Sequence, residues 1–271
     1  MISSKFFNVT VRPTIAASAQ LNAGDSNNPF IAGDVLFDWT AFQMPKGSAR
    51  LLSTTAIVRG VNGEDQAAVD MELFFAKSIN GTAPSTLGDL NADVDTATAT
   101  GSENTGWFRN IIGRQYFDAN VGNMGSSGDL VYINTIQSPG NNAVGNLVLS
   151  GEPDSGDNVG YDTVYVAGIA QGSLDFGTTV LARGGTTADG SVAVVATDKG
   201  SDDDPNADLI FQPGDVLHSG TDDVLGTVKS IAAFATNNQA ITFTSAIADT
   251  IADNEEIFNV NPITLVFSFE K

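Results

Sequence analysis

Apolar and polar positions alternate with a period of two along much of this 271-residue chain. Across 6–12, Phe7, Val9 and Val11 fall on one face, and Asn8, Thr10 and Arg12 on the other. Across 69–75, Val69, Met71, Leu73 and Phe75 oppose Asp70 and Glu72; across 263–270, Ile263, Leu265, Phe267 and Phe269 oppose Thr264, Ser268 and Glu270. Such alternation marks strands buried on one side. Further strands are predicted at 34–42, 49–59, 129–136, 145–150, 162–170 and 174–182. Turn sequences divide them, among them Pro45-Lys46-Gly47, Asn62-Gly63, Asn80-Gly81 and Ser138-Pro139-Gly140. Trp107, Phe108, Ile111 and Ile112 fit either a helical turn and a half or a strand. Many short strands with Gly, Asn and Pro turns predict an all-β fold, an antiparallel jelly-roll-like sandwich.

From about residue 182 the texture changes to small residues, acids and short strands, at 191–197, 209–211, 215–218, 225–232, 239–245 and 256–260. That is the content of a small β-barrel, after which 263–269 returns to the aromatic texture of the first strand. The expected organisation is a sandwich from 1–181 plus 262–271, with 182–261 as a small β-barrel insertion. Phe7, Val9 and Val11 are then expected to pair beside Leu265, Phe267 and Phe269. Gly33-Asp34-Val35-Leu36 recurs as Gly214-Asp215-Val216-Leu217, too short a match to define a repeat on its own.

The formal net charge of -20, from 12 basic and 32 acidic residues, disfavours binding to nucleic acid. The charge is unevenly spread. Residues 1–60 hold Lys5, Arg12, Lys46, Arg50 and Arg59 against Asp25, Asp34 and Asp38, so the acidity belongs to 61–271. A partner facing the N-terminal part would meet Phe6, Arg12, Lys46, Arg50 and Arg59, the candidate docking residues. No apolar run approaches the ~18 residues of a membrane span, so no membrane partner is expected. The first residues hold no apolar run with a cleavage site, which points to a chain made in the cytoplasm without processing.

Candidate chemistry is sparse. There is no cysteine and one histidine, His218, which excludes disulfides, thiolate sites and a structural zinc centre built from this chain alone. Asn91-Ala92-Asp93-Val94-Asp95 begins like a calcium loop but has Thr96 where glycine is needed and Ser102 where a bidentate Glu belongs. The denser run with Asp202, Asp203, Asp204 and Asp208 is a weak calcium candidate that reads better as a solvated loop. Trp39 and Trp107 sit among apolar neighbours and read as packing residues. Neither a phosphate-binding glycine loop nor a nucleophile elbow occurs. No enzyme activity and no cofactor are expected.

Two sets of segments resemble virion proteins. Gly214-Asp215-Val216-Leu217, Leu225-Gly226-Thr227-Val228-Lys229-Ser230-Ile231 and Gln239-Ala240-Ile241-Thr242-Phe243-Thr244 resemble small β-barrel modules of tailed-phage virion proteins. Phe37-Asp38-Trp39-Thr40, Met44-Pro45-Lys46-Gly47, Tyr165-Val166-Ala167-Gly168-Ile169-Ala170 and Asn259-Val260-Asn261-Pro262 are similar to structural proteins of marine and cyanobacterial phages. The resemblance implies a capsid decoration or cement protein on the outer capsid surface. It would bind the major capsid protein without a covalent bond, as a homo-oligomer such as a trimer. It supplies no catalytic residues. A tail, baseplate or host-binding component is the first alternative. A carbohydrate-binding module or carboxylate glycosidase is the alternative from another class.

Overall fold

The computed structural model describes residues 5–15, 30–59, 70–94, 106–118, 131–137, 147–152, 161–172, 174, 179–187, 190, 194–198, 207–220, 223–233 and 238–271. The strands in chain order are β1 (Phe6–Val11), β2 (Val35–Pro45), β3 (Ser48–Arg59), β4 (Met71–Lys77), β5 (Ile111–Phe117), β6 (Val131–Gln137), β7 (Val148–Ser150) and β8 (Tyr161–Ala170). They continue with β9 (Thr179–Ala182), β10 (Val194–Asp198), a single helical turn α1 (Ala207–Ile210), β11 (Val216–Ser219), β12 (Asp223–Ile231), β13 (Asn238–Phe243), β14 (Glu256–Asn259) and β15 (Ile263–Glu270).

Two antiparallel sheets pack as a sandwich. One has the order β1-β15-β3-β6, with β7 beside the start of β3; the other has the order β2-β8-β4-β5. With β7 set aside, the eight sandwich strands in chain order read 1-8-3-6 and 2-7-4-5, a jelly-roll arrangement. The first and last strands pair as the alternation implied, with Phe7 opposite Phe269, Val9 opposite Phe267 and Val11 opposite Leu265. Their inward side chains meet those of the second sheet. Phe267 stacks on Phe42 at 5.3 Å between ring centroids and meets Phe75 edge-on at 5.4 Å. Gly168 of β8 lies beneath the Phe37 ring, which fills the space a side chain there would need.

Strands β9–β14 pair in a closed circuit, β10-β13-β12-β11-β14-β9, around a separate apolar cluster that includes Leu217, Ile241, Phe243 and Ile257. This ring enters the chain between β8 and β15. Its first strand lies at 179–182, so the predicted strand 174–182 is divided. Leu174 bridges Phe30 in the sandwich core, whereas Val180 lies in the ring core.

Two other expectations change. The apolar run 209–211 is not a strand: α1 ends the run instead, with the Phe211 N–H donating to the Ala207 carbonyl at 2.8 Å. Ala207, Ile210 and Phe211 thereby reach the ring core at helical spacing. A three-residue apolar run has no period of its own, so tertiary burial decides its conformation. The ambiguous 107–112 stretch is both things in turn, a 3-10 turn over Trp107–Asn110 followed at once by β5.

Candidate docking surface

The two outer faces of the sandwich differ. Over the β2-β8-β4-β5 sheet, Leu87, Leu90 and Val94 from the 78–94 segment pack with Trp39, Phe74 and Trp107. Trp39 is anchored there by donating from Nε1 to the Ser85 carbonyl at 2.8 Å, and Trp107 meets Phe74 edge-on. Both tryptophans therefore serve packing. Over the β1-β15-β3-β6 sheet no described element packs across the outward side. Asn8 and Thr10 are exposed, and Val266, Ser268 and Thr55 are half-buried in the middle of the sheet. Thr55 and Thr135 hydrogen-bond through their hydroxyls at 2.8 Å. Among the described residues this face mixes hydroxyl and amide groups with Val266 and Ile57 and is almost free of charge, in a chain of net charge -20.

Its charges gather in one cross-strand row at the end away from the ring. Register places Phe6 opposite Glu270, Glu270 opposite Arg50, and Arg50 opposite Val148. Lys5 and Arg50 both pair with Glu270, which lowers its carboxyl below the ordinary 4.5 through the Lys5 hydrogen bond first, with Arg50 adding to it against a smaller opposing effect of burial. The Lys5 ammonium also stands 5.4 Å from the centroid of the Phe6 ring. Lys271 is exposed and donates its backbone N–H to the Lys5 carbonyl at 2.8 Å. Lys46, at the corner between β2 and β3, is exposed with no ion pair among the described residues. Phe6, Val148 and Tyr161 are each more than half exposed at this pole.

Of the five candidate docking residues, Phe6, Lys46 and Arg50 meet here. Arg12 and Arg59 do not; both are engaged within the chain instead, Arg59 in a buried position. They lie at the other end of β1 and β3, where both bind the carboxylate of Asp215 from the ring. Arg59 is 7% exposed and donates from Nη1 and Nη2 at 2.9 and 2.6 Å. Arg12 pairs with the same carboxylate and donates from Nη1 to the Gly214 carbonyl at 2.8 Å. Asp215, fully buried, also accepts the Gln212 N–H at 2.8 Å. Two cations on one buried carboxylate tie the ring to the sandwich. The bond from the Ile15 N–H to the Val260 carbonyl at 2.8 Å lies at the same junction. The ring residues are too far away in sequence for spacing to reveal this.

The repeated Gly-Asp-Val-Leu has a structural meaning. Gly33 and Gly214 both have positive φ, at 105° and 92°. In each copy the Asp carboxylate accepts from the backbone N–H three residues earlier, Ile31 at 2.7 Å and Gln212 at 2.8 Å. In each the Asp N–H returns to the carbonyl of that same residue at 3.1 Å. The glycine and Asp then exchange backbone bonds with Ala170 in the sandwich and Val228 in the ring. One turn is thus used twice to open a strand, and only the second copy receives the arginines.

The remaining candidates carry less. Asp202, Asp203 and Asp204 lie outside the described residues. Asp208 is exposed on α1 with its N–H donating to Gln239 Oε1 at 3.3 Å. Among the described residues no three His, Asp or Glu side chains are grouped to hold a metal ion. His218 is half-buried on β11 with its ring 6.3 Å from that of Phe258.

No family model and no curated protein matches the chain. Among solved structures, dimeric latent PorU from Porphyromonas gingivalis aligns over 95% of this chain and 20% of its own, at 10% identity and a TM-score of 0.12. This chain therefore spans about a fifth of that protein's length, and a likeness so slight bears on neither fold nor function.

Proposed function

We propose that this protein works by binding, as a structural component of an assembly, and that the assembly is a virus particle whose outer shell it decorates. The observation that carries the proposal is the outer face of the β1-β15-β3-β6 sheet, uncovered and nearly uncharged among the described residues. On a chain of net charge -20, a face without uncompensated acid is where a protein partner can approach at least electrostatic cost. The opposite outer face is closed by the chain's own 78–94 segment and is not equivalent. The jelly roll is common in viral capsid domains, though it also serves lectins and enzymes, so the fold supports the reading without carrying it.

On this reading the sheet face rests on the major shell protein, and the acidic ring stands toward solvent. Reconstruction of the native particle provides the test. Density for this chain on the outer shell, with the β1-β15-β3-β6 sheet inward, is the expected result. Density confined to the tail, or a sheet facing away from the shell, overturns it. Val266→Glu together with Thr55→Lys, a cross-strand pair of opposite charges, should abolish attachment while leaving the folded chain intact.

A further inference from the structure

Exposed charged groups of opposite sign gather at the two ends of the molecule. Among the described residues, the sandwich end away from the ring carries Lys5, Lys46, Arg50 and Lys271 against Glu270 and the buried Asp162. Asp162 accepts the Gly47 N–H at 2.9 Å, while Glu152 is paired with Lys77. The ring joins the sandwich at the start of β11 and the end of β14, through Asp215 and Val260. Its other rim is therefore formed where β9 and β11 end and β12 and β14 begin. Register confirms this grouping, with Ser219 opposite both Asp223 and Ile257, and Glu256 opposite Leu181.

That far rim gathers acids. Asp223 and Asp253 are exposed, and Glu255 and Glu256 are half-buried, against Arg183 alone among the described residues. The rim is stiffened by its own backbone: the Ala182 N–H donates to the Glu255 carbonyl at 2.8 Å and the Gly220 N–H to the Glu256 carbonyl at 3.1 Å. Asp253 holds the Gly184 N–H at 2.5 Å. The exposed Val224 beside Asp223 offers an apolar contact, as Phe6, Val148 and Tyr161 do at the basic pole.

We infer that the occupant of the basic pole is the acidic ring rim of a second copy of this chain, in a head-to-tail contact. Charge complementarity selects it: among the described residues four cations with two carboxylates, one of them buried, face four carboxylates with one cation, and each side has exposed apolar groups. The net charge of -20 does not forbid the contact. The Debye length is about 8 Å in physiological salt, while β3 alone, at roughly 3.3 Å per residue, spans about 40 Å. Charges at distant ends of two copies are screened, and the touching ends decide. Such a contact is heterologous, so copies either close into a ring or extend in a line. The inference stands apart from the virion reading, because it uses the pole and the ring rim rather than the sheet face.

Sedimentation velocity on the full chain over a range of protein concentrations tests it. Association is expected in about 0.15 M salt, where the screening length is about 8 Å, and dissolution in about 0.5 M salt. The pole variant Lys46→Glu with Lys271→Glu, and the rim variant Asp223→Lys with Glu256→Lys, should each weaken self-association at least about tenfold. Mixing the two variants should restore association, since each supplies one native end. A monomer at every concentration in about 0.15 M salt overturns the inference. So does association that survives either reversal, or a mixture that stays monomeric while both variants are folded by circular dichroism. Loss of particle attachment in the pole variant of a chain that is always monomeric would assign the pole to another partner instead.

Discussion

Arg59 and Asp215, separated by 156 residues, meet through two hydrogen bonds at 2.9 and 2.6 Å, the arginine from the last residue of β3 and the aspartate from the turn that opens β11. Arg12 adds a second guanidinium to the same carboxylate. Asp215→Ala leaves a buried arginine without its counter-charge. Breaking one partner out of such a pair costs about 3–5 kcal/mol. The expected order of destabilisation in urea is Asp215→Ala, then Arg59→Ala, then Arg12→Ala, because Arg12 keeps more solvent contact. Lys46→Ala, by contrast, should stay within about 0.5 kcal/mol of the parent.

The turn next to that aspartate separates backbone strain from crowding. Gly47 and Gly214 have φ of 99° and 92°, but a Cβ at Gly47 meets nothing within 4 Å, whereas one at Gly214 stands 3.2 Å from Arg12 Nη1. Gly47→Ala should cost about 1 kcal/mol from left-handed strain alone. Gly214→Ala should cost more, and the excess should shrink in an Arg12→Ala background, a double-mutant cycle read from denaturation midpoints.

Much of this architecture is legible in the order of residues. The period-two alternation in 6–12 and 263–270 identifies both strands and even their partnership, since Phe7 and Phe269 belong to the same aromatic layer. Alternation reports burial on one side, and burial is what these strands share. The fate of Arg12 and Arg59 is not legible, because local charge asymmetry cannot say whether a cation faces solvent or an aspartate far along the chain. Phe6, Lys46 and Arg50 share one end of the sandwich because sheet register, rather than sequence distance, brings the starts of β1 and β3 together. Lys271 and Glu270 join them for the same reason and could be found only by pairing the terminal strands first.

Core variants should distinguish the two faces of β15. Phe267 is fully buried among Phe42, Phe75 and Phe269, so Phe267→Ala should cost about 3–5 kcal/mol. Val266→Ala, one residue earlier on the bare outer side, should cost much less in the isolated chain. Calorimetry of both variants checks the contrast. Gly168→Ala should be among the most damaging single-methyl additions, since the new Cβ would overlap the Phe37 ring.

Glu270 gives a pH signature. Its carboxyl is held below 4.5 in the folded chain, by Lys5 first and then Arg50. A depressed folded-state value means that the pair stabilises the fold above the unfolded-state value, and that this contribution is lost as pH falls through the folded-state value. Carbon-detected NMR titration should place Glu270 below an ordinary glutamate. Lys5→Ala should move it upward; an unchanged midpoint would dissociate Lys5 from the row.

The arginine pair at the neck has a mechanical consequence. Two chain crossings, one before β9 and one after β14, would by themselves leave the ring free to swing as on a door. Asp215 adds a support that belongs to neither crossing, fastened to the ends of β1 and β3. A door with a bolt off the hinge line becomes a bracket. A push on the ring is then delivered as torque to the two strands that border or carry the bare sheet face, so whatever that face rests on feels the load.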